Sequence, residues 1–355
     1  MGHIDLMIST TSSISIGIFA HNEADNITAT LKSLAQQDIF SPVTLPKSQV
    51  RVSILANGCT DDTVAIAQAY IKQVPRLRAQ IIVIDKPGKS NAWNEFIHSP
   101  ESKSVDYFLC MDSDIKFGSN NVISTLICRL SASDEAYLAV DIAQKDTLLK
   151  PHKTIIEKVS LFFSRIMRQG SSAVAGSLYC GKADQLRKIY MPDGLPVEDG
   201  FLRAMLVTEL FTKKDNNKRI LVVNDVCHYF TPDASIKALL RHEERLLIGT
   251  FINSVIYGYL WQQVAASQSD AGSVVANNNR RDPGWVEGLI NSYREAHNPL
   301  IPKHFYYKYW KRWAAFSLGV KILTLPVIIV ASLIKYFLLK KVERRLLAES
   351  GLGYW

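Results

Sequence analysis

The chain has 355 residues, of which 47% are hydrophobic and 21% are charged. This composition indicates a globular protein with a sizeable core, and it excludes a disordered chain, a collagen-like fibre and a disulfide-rich secreted domain. The net charge of +8 is concentrated in residues 303–355, which hold ten Lys or Arg and two Glu, so that the preceding residues carry 31 charges of each sign. A nucleic-acid groove would spread its basic residues over a folded domain, so we expect a membrane surface and no nucleic acid as a partner.

The cysteines and the N-terminus indicate a reducing compartment. The five cysteines are odd in number and form no Cys-x-x-Cys pair, which favours free thiols over disulfides or a zinc site. Residues 1–13 lack the basic start and the apolar stretch of a secretory signal, and Leu6 stands where myristoylation needs Ser or Thr. We therefore expect the N-terminal domain to lie in the cytoplasm.

Short apolar runs alternate with helical patterns in the first half of the chain. The predicted strands are ISIGIF (14–19), VRVSIL (50–55), IIVID (81–85) and DYFLCMD (106–112). Three helices are predicted between these strands. The first carries Ile27, Leu31 and Leu34 on one face with Asn22 as its N-cap, the second begins at Asp61-Asp62, and the third spans 90–98. This alternation predicts an α/β fold with a mostly parallel sheet flanked by helices.

Polar residues follow each predicted strand, at the edge where parallel sheets bind their ligands. These clusters are Phe19–Glu23, Ala56–Asp62, Asp85–Lys89 and Asp112–Asp114. None of them contains the glycine-rich loop of a Rossmann dehydrogenase or a P-loop NTPase, so both classes are disfavoured.

The third and fourth clusters have the chemistry of a metal–diphosphate site. Asp112 and Asp114 lie two residues apart and can turn toward one Mg²⁺ or Mn²⁺, which takes one or two carboxylates and phosphate oxygens. Lys89 can add a charge to a phosphate, and Glu23 and Asn57 can bind base or ribose edges. The alternative is that these residues only form polar turns and helix caps.

A carboxylate pair precedes another helical pattern in LPVEDG (195–200). Of such a pair, one member can accept a proton from an acceptor hydroxyl while the other is held by hydrogen bonds or a cation. Glu198 and Asp199 are therefore candidate catalytic residues, and the alternative is that they supply negative charge to a helix N-terminus.

An ordered set of segments carries a family resemblance. The segments are IGIFAHNEADNI, ILANGCTDDT, DKPGKSNAWNEFI, CMDSD, AGSLYCGKADQLRKI, LPVEDGFL and RHEERLLIG. With this order and spacing, residues 14 to about 249 resemble the family 2 glycosyltransferases, which are inverting enzymes of the GT-A fold.

The resemblance implies transfer of a sugar from a nucleotide-diphosphate sugar to a hydroxyl on a glycan, a lipid-linked or a cell-envelope acceptor. By position in the motifs, the nucleotide site would be lined by Phe19, His21, Glu23 and Asn57, with Lys89 near it. A divalent metal, Mg²⁺ or Mn²⁺, would be the cofactor.

The resemblance also implies roles for the carboxylates. Asp112 would touch the nucleotide or the metal, Asp114 would hold the metal, and Asp199 of the Glu198-Asp199 pair would be the base.

The sequence departs from the family pattern at several positions. His21 and Phe19 stand where Tyr and Pro are common, and Ala56-Asn57 replaces a common Asp-Asp, so an amide replaces the acidic contact to a uracil ring. Of the Gln-x-x-Arg-Trp motif of processive synthases only Arg245 is kept, which predicts substrate binding by Arg245 and transfer of one or a few sugars.

The C-terminal third is apolar, aromatic and basic. We expect a buried or interfacial helix over 246–261, a polar loop over 267–284 and a short helix over 285–296. Aromatic and basic residues alternate over 304–313, and the following residues 314–339 are apolar except for two lysines. This pattern predicts membrane association, either as a span or as a helix in the membrane plane.

We therefore expect three parts. A GT-A catalytic domain covers 1–235, acceptor-side helices with a polar loop cover 236–302, and a membrane-associated segment covers 303–355. Two other hypotheses remain at this stage. A sugar-phosphate nucleotidyltransferase would share the nucleotide-binding layout, and a non-catalytic scaffold would keep the fold without turnover.

Overall fold

The structure is a computed structural model that describes residues 12–41, 50–149, 176–231 and 235–353. The predictions that concern residues 1–11, including the missing signal peptide, fall outside the described residues. Within these ranges the strands are β1 (Ile14–Ala20), β2 (Val50–Asn57), β3 (Ala79–Ile84), β4 (Tyr107–Asp112), β5 (Ile115–Phe117), β6 (Leu138–Lys145), β7 (Leu178–Lys182) and β8 (Ile220–Phe230).

The strands form one mixed sheet in the order β3-β2-β1-β4-β7-β6-β8-β5. The first four strands of this order pair in parallel, which confirms the predicted parallel half. Strand β7 then runs antiparallel to both β4 and β6. The carboxyl ends of β1 to β4 consequently meet at one edge, where the polar clusters were predicted to converge.

Helices cover both faces of the sheet. They are α1 (Ile27–Ala35), α2 (Thr63–Gln73), α3 (Lys89–His98), α4 (Val122–Ser131), α5 (Ala183–Leu186), α6 (Glu198–Val207), α7 (Ile236–Ser267), α8 (Ala271–Arg281), α9 (Trp285–Ala296), α10 (His304–Ala314) and α11 (Leu318–Ala348). Helices α1 and α4 pack on one face, and α3, α6 and α7 on the other. This is the mixed α/β architecture that the sequence predicted.

Side-chain patterns explain which helix faces are buried. Ile27, Leu31 and Leu34 of α1 are fully buried, as their helical spacing predicts. The apolar run 246–261 lies within α7, where Ile248 and Ile252 are also fully buried. The predicted buried helix is therefore present and is longer than the run itself.

Two local predictions are wrong. The predicted polar loop 267–284 contains helix α8, because Asp270 caps it by accepting the Ser273 amide at 2.9 Å and Val275 packs into the core. Asn22 does not cap α1, whose N-cap is Asn26. The Asn22 side chain instead accepts the Thr60 amide at 2.8 Å, which joins the loops after β1 and β2.

The C-terminal helices share the core of the catalytic part. Leu339, Val342 and Leu346 of α11 are fully buried in the same apolar cluster as Phe19 and the α7 residues. After α11 the chain returns to the sheet side, where the Gly353 amide donates to the Gly194 carbonyl at 2.8 Å. This cluster is continuous across positions 235 and 302, where we predicted boundaries.

Helix α11 exposes several large apolar side chains over residues 318–337, before the buried Leu339, Val342 and Leu346. Leu318, Ile322 and Phe337 are 75%, 68% and 69% exposed, whereas Lys335, one of the two lysines in the apolar segment, is buried. Among the described helices we find none that combines the length and the apolar character required to cross a bilayer.

Candidate active site

The site begins in the two loops that follow β1 and β2. His21 lies just beyond β1, and its Nδ1 donates to the Asn57 carbonyl at 2.7 Å. The Glu23 amide donates to the Thr63 hydroxyl at 2.7 Å, so the first residues of α2 hold the loop that carries Glu23. The structure thus places His21, Glu23 and Asn57 in neighbouring loops at one edge of the sheet, and their binding of a nucleotide stays a prediction.

Asn57 carries a buried amide with unused hydrogen-bonding capacity. The residue is 3% exposed, and its Oδ1 has no hydrogen-bond partner among the described residues. Buried polar atoms are nearly always satisfied, so an unpaired amide oxygen at this edge is suited to accept an N–H from a ligand.

Phe19 lies beneath the edge. Its ring is almost fully buried and packs edge-on against Phe96, with 6.1 Å between the ring centroids. The ammonium of Lys89 lies 6.0 Å from the centroid of the Phe19 ring. Phe19 therefore supports Lys89 from the core side, and a direct contact between Phe19 and a nucleotide stays a prediction.

Asp112 and Asp114 lie on either side of a tightly fixed serine. The Ser113 hydroxyl donates to the Phe19 carbonyl at 2.9 Å, and the Ser113 carbonyl accepts from Thr30 at 2.6 Å. These bonds hold the turn after β4 against β1 and α1. The spacing of Asp112 and Asp114 is consequently set by a rigid turn.

The turn after β4 concentrates negative charge. Burial and then the carboxylates of Asp112 and Glu23 raise the pKa of Asp114 from its ordinary 3.8 to about 6. Burial likewise raises the pKa of Glu23, with Asp112 adding to the effect. Such a cluster is stabilised by a cation, because a cation relieves the repulsion that raises these pKa values.

Lys89, the first residue of α3, connects two groups of carboxylates. Its ammonium lies 2.6 Å from Asp112 Oδ1 and 2.9 Å from Glu198 Oε1, and it donates to the Gly176 carbonyl at 3.1 Å. Burial alone would lower the pKa of Lys89, but the charges of Asp112 and Glu198 outweigh burial and raise it well above the ordinary value. Lys89 is therefore a fixed cation between the turn after β4 and the start of α6.

Glu198 and Asp199 form the first turn of α6 and differ in their partners. Glu198 is held by Lys89, whereas Asp199 accepts the Gly200 amide at 2.7 Å. Burial raises the pKa of Asp199, and the neighbouring charge of Glu198 raises it further. A carboxylate with a raised pKa is the better proton acceptor, and the role of Asp199 as base stays a prediction.

Gly176 lies against this pair. A Cβ atom at this position would lie 3.0 Å from Asp199 Cβ and 3.4 Å from Glu198 Oε1. The absence of a side chain therefore lets the segment before β7 approach both carboxylates closely.

Three residues that the sequence analysis missed lie behind Gly176. The Ser177 hydroxyl lies 2.8 Å from Nε2 of His228, and Nδ1 of His228 donates to Asp141 at 2.7 Å. Asp141 interrupts the apolar run LAVDIA of β6. An acidic residue inside a buried strand indicates a fixed partner, and this was the available signal.

Arg245 lies on the face of α7 that packs against the start of α6. The Asn253 side chain donates to the Val197 carbonyl at 2.8 Å, the Tyr257 hydroxyl donates to the Gly200 carbonyl at 2.7 Å, and Gly249 approaches Val197. Arg245 is one turn before Gly249 and so shares this face. Its binding of substrate stays a prediction.

Comparisons with known proteins agree with this geometry. Residues 15–183 match the family model described as glycosyl transferase family 2. A search of curated proteins found no match to the chain.

Similar solved structures include a mannosyltransferase from Pyrobaculum calidifontis in complex with GDP-Man and Mn²⁺. It is 13% identical, with a TM-score of 0.53, and the likeness covers 99% of this chain and 90% of that chain. Another is glucosyl-3-phosphoglycerate synthase from Mycobacterium tuberculosis in complex with Mg²⁺ and uridine diphosphate. This protein is 16% identical, with a TM-score of 0.46, and the likeness covers 68% of this chain and 79% of that chain.

The first of these structures shows the same fold, and the family match identifies the chemistry. The hypotheses of a nucleotidyltransferase and of a non-catalytic scaffold are thereby superseded. Residues 15–183 match glycosyl transferase family 2, and the chain is a glycosyltransferase with the GT-A fold.

Proposed function

We propose that the enzyme transfers a sugar from a nucleotide-diphosphate sugar to a hydroxyl acceptor, in one displacement that inverts the anomeric carbon. The observation that carries this proposal is the position of Lys89 between Asp112 and Glu198. This cation joins the strand edge that would bind the donor to the carboxylate pair that would deprotonate the acceptor.

A divalent metal is the proposed cofactor, and the residues fit it. Asp112 and Asp114 supply two carboxylates from one rigid turn. The raised pKa of Asp114 reflects its burial and then the charges of Asp112 and Glu23, which a cation would neutralise. These two residues would hold Mg²⁺ or Mn²⁺, as the P. calidifontis enzyme is described with Mn²⁺. When bound, the metal would neutralise the diphosphate and make it a better leaving group.

The residues of the chain divide the remaining work. His21, Glu23 and Asn57 would bind the nucleoside, and the unpaired Asn57 Oδ1 offers an acceptor for a base N–H. Lys89 would remain between the diphosphate side and Glu198 and add positive charge near the leaving group. This arrangement places the bond to be broken between the strand edge and α6.

The acceptor side of the reaction rests on Asp199. Its carboxylate would take the proton of the acceptor hydroxyl as that oxygen attacks the anomeric carbon. Glu198 would orient its neighbour while Lys89 neutralises it. Arg245 would contact the acceptor or the donor, and the missing partners of the processive motif favour transfer of one or a few sugars to a glycan or lipid-linked acceptor.

A binding screen tests the proposed donor class. Melting of the protein is followed with GDP- and UDP-sugars, each with Mn²⁺ or with EDTA. We expect at least one nucleotide sugar to raise the Tm only with the metal, because a ligand that binds the folded state stabilises it. The Asp114→Asn variant is the control and should lose this increase. If no nucleotide sugar raises the Tm, or if EDTA makes no difference, the proposed donor site is wrong.

We also propose that the N-terminal part of α11, residues 318–337, lies on an anionic membrane surface. Its exposed apolar side chains include Leu318, Ile322 and Phe337, and Lys321 is 5.9 Å from the Trp313 ring, at the end of α11 that adjoins α10. Aromatic and cationic residues beside an apolar surface are typical of helices in the lipid interface. The net charge of +8 in 303–355 favours an anionic lipid over a second copy of this chain, which would bring like charges together.

Vesicle sedimentation tests the membrane proposal. The double variant Ile322→Asp with Phe337→Asp should bind vesicles of anionic phospholipid at least about tenfold more weakly than wild type, because burying each apolar side chain contributes about 1.5–3 kcal/mol. Val83→Asp changes a side chain that is also exposed, on edge strand β3, and is the matched control. Equal binding by the double variant and the control would contradict this docking surface. Location of the catalytic domain in the cytoplasm stays a prediction.

A further inference from the structure

A hydrogen-bonded chain of three side chains, two of them completely buried, leads to the active site. Asp141 lies on β6, His228 on β8 and Ser177 directly before β7. The side chains of Asp141 and His228 are both completely buried. The Asp141 carboxylate accepts from Nδ1 of His228 at 2.7 Å, which leaves Nε2 for the Ser177 hydroxyl at 2.8 Å.

The strand pairing shows why Asp141 can reach His228. The register of β6 against β8 slips between Val140 and Ile142, so Asp141 lies at an irregularity of the ladder. Bulges of this kind re-aim a side chain, and here the carboxylate meets the imidazole of the neighbouring strand.

Ser177 and Gly176 contact four residues of the proposed machinery. The Ser177 carbonyl accepts the Asp112 amide at 2.9 Å, and the Gly176 carbonyl accepts from Lys89 at 3.1 Å. Gly176 also packs closely on Asp199 and Glu198. The two-residue segment 176–177 therefore touches both the donor side and the acceptor side.

We propose that His228, oriented by Asp141, is a positioning residue for sugar transfer: it holds Ser177 and thereby fixes segment 176–177 against Asp112, Lys89 and the Glu198-Asp199 pair. The inference rests on the proposed function for its effect on turnover. Its effect on the position of Asp112 concerns the protein without substrates and is independent of that function.

The burial of these groups supports a role beyond packing. A buried carboxylate and imidazole cost desolvation free energy. In proteins generally, apolar side chains of similar size can often replace such a buried pair without loss of stability. In this protein the pair instead supplies a directional contact to Ser177. Small displacements of catalytic groups are costly, since a shift of about 1 Å can lower a rate about 100-fold.

The first test measures hydrogen exchange in the ligand-free enzyme. The Ser177→Ala and His228→Gln variants should each exchange faster than wild type at the Asp112 amide, because its acceptor is the Ser177 carbonyl. Ser177→Thr keeps the hydroxyl and should retain the protection. The control is His98→Gln, which removes another half-buried imidazole. His98 lies at the C-terminal end of α3 and hydrogen-bonds the Ile189 carbonyl, so this variant should leave exchange at the Asp112 amide unchanged.

The second test measures kcat and donor KM with Mn²⁺. Ser177→Ala and His228→Gln should each lower kcat about 10- to 100-fold, and the double variant should be no worse than the poorer single variant, because both act through one contact. The Tm of each variant reports folding, and Asp141→Asn gives a further variant of unchanged size if His228→Gln fails to fold.

Several outcomes would overturn the inference. Wild-type exchange at Asp112 together with wild-type kcat in Ser177→Ala would show that the contact does not position the site. A normal Ser177→Ala with an inactive His228→Gln would mean that His228 acts directly. Inactivity of Ser177→Thr as well as Ser177→Ala, with covalent labelling of Ser177 by a fluorophosphonate, would make Ser177 a nucleophile. Wild-type enzyme that binds no nucleotide sugar would instead count against the proposed function.

Discussion

The edge of the sheet and helix α11 place charged and apolar residues in opposite ways. At the edge, the ammonium of Lys89 is enclosed by Asp112 and Glu198, away from bulk water. On residues 318–337 of α11, Ile322 and Phe337 face outward although they are apolar. Each region departs from the arrangement that stability alone would favour, in which apolar groups are buried and charges are solvated.

The comparison teaches that each departure has its own chemistry. Enclosed charges at the edge interact strongly because little water screens them, which suits a reaction at a charged donor. Exposed apolar residues on α11 gain by contact with another apolar phase. If these assignments are correct, changes at the edge should affect turnover and changes on α11 should affect vesicle binding, with little effect in the other direction.

The largest effect is expected at the proposed base. Asp199→Asn keeps the size of the side chain but cannot accept a proton at neutral pH, so kcat should fall about 10²–10⁴-fold while donor affinity and vesicle binding change little. Steady-state kinetics with donor titration measures both quantities. Glu198→Gln is the matched control and should be milder, since Glu198 is already paired with Lys89. Loss of activity in Glu198→Gln with normal Asp199→Asn would reverse the two roles.

Residues 318–337 of α11 and the residues that follow them should differ in their contribution to stability. Leu346 is fully buried, and Leu346→Ala should lower the free energy of unfolding by about 2–5 kcal/mol. Leu333 is exposed on the same helix, and Leu333→Ala should change it by no more than about 0.5 kcal/mol. Urea denaturation of both variants gives the comparison. Similar losses of unfolding free energy in the two variants would show that residues 318–337 of α11 are also packed.

Loss of the central cation should have a moderate effect on turnover. Lys89→Met leaves Asp112 and Glu198 without their shared partner, and kcat/KM should fall about 10- to 100-fold, because a hydrogen bond between charged groups contributes about 1.5–3 kcal/mol. Lys89→Arg keeps the charge and should retain more activity. Unchanged kcat/KM in Lys89→Met would mean that the two groups of carboxylates work independently.

The pH profile should show the smallest of these effects near neutrality. Burial and then the charge of Glu198 raise the pKa of Asp199 from its ordinary 3.8 to about 6. Only the ionised form accepts a proton, so kcat/KM should be constant above this pKa and fall about tenfold per pH unit below it. In Lys89→Met the fall should begin at higher pH, since Lys89 lowers the pKa of Asp199. A profile that is flat down to pH about 4 would exclude Asp199 as the base.

The parallel half of the fold was predictable because its strands are short, nearly continuous apolar runs. The four predicted strands match β1 to β4 within a few residues. Helix α8 was not predicted, since its Asn-rich sequence has little apolar periodicity and its cap at Asp270 is a single side chain. Apolar patterns therefore predicted the sheet better than the helices that pack beyond it.

The site was predictable where it follows single strands and not where it joins distant ones. Asp112, Asp114 and Asn57 each follow a recognisable strand. The double pairing of Lys89 depends on α3 and α6 meeting over the sheet, and the contact of Ser177 with His228 depends on the order β4-β7-β6-β8. Residues so far apart in sequence carry no local pattern that relates them.

One-step displacement with Asp199 as base is tested most directly by the configuration of the released sugar. In the absence of acceptor, water can take the place of the hydroxyl, and proton NMR of the first minutes of hydrolysis reports the anomer before mutarotation. With Mn²⁺ and an α-linked nucleotide sugar that the binding screen identifies, we predict release of the β-anomer. Initial release of the α-anomer would mean that the anomeric configuration is retained, and it would contradict the proposed mechanism.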